Sequence, residues 1–345
     1  MEYRKLGRTD IDVSVICLGT MTYGEQNTEA EGHEQMDYAV EQGVNFFDTA
    51  EMYAVPGRKE TQGLTEEIIG TWFKSRNNRN DIILATKVTG PSDSFKHISD
   101  NLGFSKNRIL EAIDLSLSRL QTDYVDLYQL HWPERKTNYF GQRGYSRHDK
   151  KWEDNFQEAL ETLDELIKIG KIRSYGISNE NPWGLHRTLM LSETKALPRC
   201  ASIQNPYNLL NRLYEVGMSE FGIREEVGLL AYSPMAFGLL SGKYHKGLDT
   251  EDSRLNKYKK LARYNSDNCH KATQMYMDIA EEAGMTIAQM SLAFINQQPF
   301  VTSNIIGATT MTQLQENIAS IDIKLPRTII KKIEAVHDMI PNPAP

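Results

Sequence analysis

The feature that most constrains this chain is a series of eight short apolar segments, nearly all trailed by helical periodicity. They read VSVICLG, VNFFDTA, DIILATKV, YVDLYQLHW, IRSYGISN, SIQNPYN, GLLAYSPM and TSNIIGAT. They are apolar nearly throughout rather than alternating, as strands are when both faces of a parallel sheet are covered. Helical patterns lie at 30–42, 65–76, 106–120, 156–169 and 182–195, with further helical stretches in the second half. Strands alternating with helices indicate an α/β architecture with right-handed crossovers. A doubly wound open sheet would want a G-x-G-x-x-G turn after an early strand, and none is present. The pattern therefore predicts a (β/α)8 TIM barrel. A β-hairpin precedes it, with residues 3–6 turning through 7–10, and helices close its C-terminal end.

A chain of 345 residues suits one such barrel with insertions, and no Pro/Gly/Ser-rich linker divides it, so residues 1–345 read as a single domain. Hydrophobic residues make up 40% of the chain, enough for a substantial core. A net charge of −7 argues against a nucleic-acid partner, because a basic footprint is missing. No apolar run approaches the roughly 18–20 residues needed to cross a bilayer. The opening MEYRKLGRTD has no apolar stretch after its charges, unlike a secretory signal. Cys17, Cys200 and Cys269 are far apart and odd in number, which fits a reducing, cytoplasmic setting. The eight histidines are scattered without ligand spacing, so no metal site is expected.

Three polar segments, 54–63, 133–154 and 243–267, are too long for tight connections and read as lids or surface loops. The second carries Tyr139, Phe140, Tyr145 and Trp152, which could wall a pocket or simply pack on the barrel rim.

Four polar residues fall at or just beyond the ends of consecutive strands: Asp48, Tyr53, Lys87 and His131. In a barrel these ends share one mouth, so the side chains converge. Their chemistry is coherent. A tyrosine hydroxyl has a pKa of about 10, and a neighbouring ammonium lowers it. An aspartate beside the lysine keeps that ammonium charged at depth. A histidine donating to a carbonyl oxygen would orient the substrate and stabilise developing negative charge. The set would protonate an oxygen as it becomes an alkoxide. Taken singly, each such residue is more often a rim salt bridge, a loop anchor or a hydrogen-bonded rim side chain; the set gains its weight from all four falling at one barrel end.

The succession GVNFFDTAEMY, ILATK, DLYQLHWP and YGISN resembles the aldo-keto reductase superfamily, and the resemblance runs from LGRTDIDVSVICLGTM to GATTMTQLQENI. Within it the chain is most similar to bacterial reductases of the Tas type and, more distantly, to potassium-channel β-subunits. The resemblance implies NADPH-dependent reduction of an aldehyde or ketone. Asp48, Tyr53, Lys87 and His131 match its catalytic tetrad, with Tyr53 as the general acid. Ser178, Asn179 and Gln204 match residues that hold the nicotinamide carboxamide, and Tyr232 matches the aromatic on which that ring stacks. Gly19, Thr20 and Met21, after the first barrel strand, join Asp48 on the cofactor side. Ser233, Met235, Gly238 and Lys243 match a loop over the pyrophosphate, with Arg254 as its lid arginine.

At the adenosine end the resemblance implies Gly307, Thr309, Gln313, Glu316 and Asn317. Physics offers partial support, since a helix beginning near Met311 presents free N–H groups to an anion. The plain alternative is an ordinary helix capped by Thr309 or Thr310. The chain departs from the family pattern where Tyr53 is followed by AVPGRKETQGLTEEIIG, and again after His131; both enlargements border the substrate mouth. At the expected 2′-phosphate position Gln313 stands where some members have arginine.

Two other functions compete. A nicotinamide-sensing interaction module with little turnover would suit the β-subunit likeness, but those relatives can carry Asn where this chain has His131. A Schiff-base enzyme using Lys87 needs a neutral lysine, which Asp48 opposes.

Overall fold

The computed structural model describes residues 1–142, 144–146, 148–251, 253–258 and 263–344. Parts of the expected loops at 133–154 and 243–267 therefore lie outside the described residues. Two short strands, β1 (Tyr3–Lys5) and β2 (Asp12–Ser14), form an antiparallel hairpin. Eight parallel strands follow among the described residues: β3 (Ile16–Gly19), β4 (Phe46–Asp48), β5 (Ile83–Val88), β6 (Val125–Leu130), β7 (Ile172–Ser178), β8 (Ser202–Pro206), β9 (Gly228–Tyr232) and β10 (Val301–Ile306). They close in sequence order, with β10 pairing back onto β3. The expected (β/α)8 barrel with its N-terminal hairpin is what the chain forms.

VSVICLG reads as one strand in sequence, but the structure divides it between β2 and β3. At the join, the Ser14 hydroxyl donates to the Ile16 carbonyl (2.6 Å) and Val15 N–H donates to the Glu2 carbonyl (2.9 Å), carrying the chain from hairpin to barrel.

Period-two alternation sorts each strand's residues between two environments. Ile16, Leu18, Phe47, Leu84, Tyr128, Ile177, Ile203 and Leu229 point outward into the main core against the helices. Cys17, Phe46, Ala85, Leu127, Leu230 and Ile305 point inward, and the hairpin's Leu6, Ile11 and Val13 pack with them. The hairpin thus plugs the N-terminal end of the barrel. Gly7 makes its turn at φ +60°, and a Cβ there would sit 2.4 Å from the Ala201 carbonyl oxygen, so only glycine fits.

The first helices, Glu29–Glu41, Leu64–Arg76, Lys106–Leu120, Phe156–Lys168 and Pro182–Lys195, lie within a residue of the predicted spans. Helices Asp267–Glu282 and Ile287–Asn296 separate β9 from β10, and the C-terminal helix Arg327–Met339 packs on the former. Among the described residues no helix is long and apolar enough to cross a membrane.

Candidate active site

Two residues beyond each apolar inward position, the same alternation delivers the opposite chemistry. Phe46 gives way to Asp48, Ala85 to Lys87, and Leu127 to Gln129 and then His131, so one parity carries both the plug and the mouth. Lys87 is fully buried and donates to Asp48 Oδ2 (2.6 Å) and to the Thr49 carbonyl (2.7 Å). Gln204 (2.8 Å) and Gln129 (3.1 Å) both donate to the other Asp48 oxygen. This leaves the buried carboxylate hydrogen-bonded on both oxygens, as a charge at that depth requires.

Tyr53 lies in the loop after β4. Its N–H donates to the Ala50 carbonyl (3.0 Å) and its carbonyl accepts from Gly63 N–H (2.7 Å), which sets the ring over the pair. Lys87 Nζ is 5.0 Å from the centre of that ring. The His131 ring meets Tyr53 edge to face at 5.9 Å, and its Nδ1 is buried with no partner.

Burial would strip the Lys87 proton, but Asp48 and Tyr53 hold its ammonium above the ordinary lysine value. Burial pushes the Tyr53 hydroxyl up, and the Lys87 ammonium offsets only part of that rise. The ammonium does lower this pKa, as the sequence reading expects, but depth in the barrel outweighs the charge and the net direction is upward. Burial, assisted by Lys87, drives the His131 imidazole well below its usual range, so it is neutral at physiological pH.

Ser178, Asn179, Gln204 and Tyr232 join the same network. The Ser178 hydroxyl donates to the Gln204 carbonyl (2.9 Å), and Asn179 Nδ2 donates to the His131 carbonyl (2.9 Å). The Tyr232 hydroxyl donates to Asn179 Oδ1 (2.6 Å). Thr20 ties the first barrel strand in through the Asp48 carbonyl (2.9 Å), while Gly19 lies so close to Ile305 and the Ile306 carbonyl that a Cβ would clash.

Beyond β9 the backbone folds tightly, with Ser233, Phe237 and Gly238 all at positive φ and Gly238 N–H bonded to the Met235 carbonyl (2.8 Å). The Lys243 side chain lies against Gly238, 3.5 Å from where a Cβ would be. Arg254 reaches across the mouth, its guanidinium 3.8 Å from the Met21 sulfur and its Nε buried without a partner.

Gly307, Thr309, Gln313, Glu316 and Asn317 form a separate group at the start of helix Met311–Ala319. Thr310 is the N-cap, accepting from Gln313 N–H (3.3 Å). Gln313 Oε1 accepts from Thr309 N–H (3.0 Å), Glu316 from the Thr286 hydroxyl (2.6 Å), and Asn317 donates to the Gly307 carbonyl (3.2 Å). In the protein alone these side chains satisfy one another, as the plain capped-helix reading expects.

The loop at 133–154 splits its aromatics. Tyr139 and Phe140 pack towards Trp132 beside His131, whereas Trp152 meets Phe156 and Trp183 edge to face away from the mouth and Tyr145 is exposed. Sequence reasoning did not single out Gln129 or the buried pair of Glu51 and Arg108. Arg108 Nη2 lies 2.6 Å from both Glu51 oxygens, inside the loop segment leading to Tyr53. Gln129 was findable, as the residue two before His131 on an inward parity; the Glu51–Arg108 partnership spans 57 residues and leaves no local trace.

A sequence profile described as the Aldo/keto reductase family matches residues 15–338. "Protein tas" of Escherichia coli is 47% identical over the whole of both chains. "Uncharacterized oxidoreductase YrpG" of Bacillus subtilis is 34% identical over 99% of this chain and 97% of its own. "Probable voltage-gated potassium channel subunit beta" of Arabidopsis thaliana is 32% identical over 97% and 96%. On a full-length match, a closed eight-stranded barrel and the expected residues gathered at one mouth, the chain belongs to the aldo/keto reductase family.

Proposed function

We propose that this protein is an oxidoreductase that reduces an aldehyde or ketone to the alcohol with NADPH. The observation that carries this reading is the fully buried Lys87–Asp48 pair lying beneath Tyr53, with a neutral His131 at the ring edge. In the reducing direction Tyr53 is the proton donor, and its raised pKa keeps it protonated at neutral pH. As the proton leaves for the carbonyl oxygen, the Lys87 ammonium stabilises the phenolate left behind, and Asp48 keeps that ammonium charged. Neutral His131 donates a hydrogen bond to the same oxygen without competing as an acid.

The residues present fit a dinucleotide. Lys243 and Arg254 are partly or largely buried, and neither makes an ion pair among the described residues, so an anion between them would complete the charge. The Tyr232 ring offers an apolar face beside Ser178, Asn179 and Gln204. The start of helix Met311–Ala319 supplies backbone N–H groups for the adenosine phosphate. A bound nicotinamide would supply the hydride. The 2′-phosphate assignment to Thr309 and Gln313 rests on family resemblance.

The test is loss of NADPH absorbance with an activated aromatic aldehyde, run with the wild type and Tyr53→Phe. Turnover by the wild type is expected to fall by at least about a hundredfold in the variant, the loss typical of removing a general acid, with NADPH affinity retained. Equal turnover by both proteins would sink the assignment of Tyr53. Tight NADPH binding without turnover would instead favour the cofactor-sensing module suggested by the β-subunit relatives.

A further inference from the structure

The insertions that follow β6 and β9 meet over the mouth, and at their meeting point stands an arginine that the proposed reaction does not use. The Arg263 guanidinium carbon is 5.9 Å from the Phe140 ring and 5.7 Å from those of Phe237 and Tyr264. Phe140 in turn packs on Trp132 (5.8 Å), which packs on His131 (4.8 Å). Arg263 Nη1 is buried with no hydrogen-bond partner; the guanidinium otherwise lies within hydrogen-bonding reach of the Tyr232 side chain, and the residue makes no ion pair among the described residues. Aromatic faces compensate a guanidinium only in part, and a buried cation without an anion is costly. The fork of N–H donors on an arginine matches the two oxygens of a carboxylate.

We propose that Arg263 recognises an acidic group on the substrate, so that the enzyme prefers carbonyl compounds carrying a carboxylate on an aromatic or otherwise apolar body. The proposal rests on the reductase reading above. The anion belongs to the substrate rather than the dinucleotide because Lys243 and Arg254 already flank the pyrophosphate loop, whereas Arg263 contacts Phe140 of the substrate-side insertion. Phe237 lies between the two arginines, 4.5 Å from the Arg254 guanidinium, and separates their sites.

The experiment compares 4-carboxybenzaldehyde with its methyl ester, methyl 4-formylbenzoate, which presents the same reactive carbonyl without the charge. The wild type should favour the acid over the ester in kcat/KM by about tenfold or more, the discrimination expected when a buried polar group would otherwise go unpaired. Arg263→Gln should lower that ratio about tenfold, through KM for the acid, and Arg263→Lys should keep part of it. NADPH affinity and thermal midpoint, measured on each variant, separate this effect from a lost cofactor contact or a damaged fold. A wild-type ratio near one, an equal loss on both substrates, or a parallel fall in NADPH affinity would overturn the proposal. If neither aldehyde is reduced, the reductase reading fails on its own. Calorimetric titration with benzoate then decides the anion site: binding lost in Arg263→Gln supports it, and no binding to the wild type refutes it.

Discussion

His131 shows how a single residue links the site to stability. Its imidazole is neutral in the folded protein, because burial and then Lys87 hold its pKa well below the usual value of about 6.5. In the unfolded chain it protonates below that pH. Between the unfolded pKa and the lower folded one, the unfolded state binds more protons, so stability falls as pH falls through this window and levels off above it. One group contributes a slope of about 1.4 kcal/mol per pH unit. His131→Asn should therefore flatten the dependence of unfolding free energy on pH below about 6.5 by that slope, in urea titrations at matched pH values. Identical slopes in the two proteins would mean the imidazole is free to charge in the folded state. This is also where sequence reasoning was weakest. It named Tyr53, Lys87 and His131 correctly as a converging set, yet the balance between burial and neighbouring charge depends on depth, which no motif records. Arg263 was passed over for a related reason: lacking an anionic partner is a property of its surroundings, not of the residue.

At the scale of elements, the strands and the first five helices were legible because each repeats a simple period. Apolar runs marked the strands, and 3.6-residue periodicity marked the helices, so the boundaries of the first helices fell within a residue and those of the strands within about three. The connections were legible only as long and polar. What orders them is tertiary, and the Glu51–Arg108 pair is the clearest case. It joins the loop bearing Tyr53 to helix Lys106–Leu120, with Glu51 also accepting from Thr89 N–H (2.5 Å). Arg108→Ala would leave Glu51 buried and uncompensated, and should cost about 3–5 kcal/mol of unfolding free energy. Replacing both residues, as Glu51→Gln with Arg108→Met, should recover a large share of that loss, since the cost lies in the unpaired charge. Chemical denaturation of the wild type, both single variants and the double variant checks this. Strictly additive losses would show that the two side chains are not coupled.

Across the whole molecule, the inward face of the barrel is divided by height into an apolar plug and a polar mouth, with one strand parity serving both. Leu6, Ile11 and Val13 of the hairpin fill the lower end, and Asp48, Lys87, Gln129 and Gln204 fill the upper. Stability and chemistry should therefore be separable by position along the barrel axis, with the N-terminal face serving the fold and the C-terminal face the reaction. Leu6 is fully buried among the plug residues. Leu6→Ala should destabilise the protein by about 2–5 kcal/mol, the range for deleting a buried leucine side chain and leaving a cavity. Its aldehyde kcat/KM, measured well below the unfolding midpoint, should stay within about twofold of wild type, because distant sites without shared partners act independently. An unchanged midpoint would place Leu6 outside the cooperative core. A large activity loss in fully folded protein would show instead that the plug transmits its packing through Cys17 and Phe46 to the Lys87–Asp48 pair directly above.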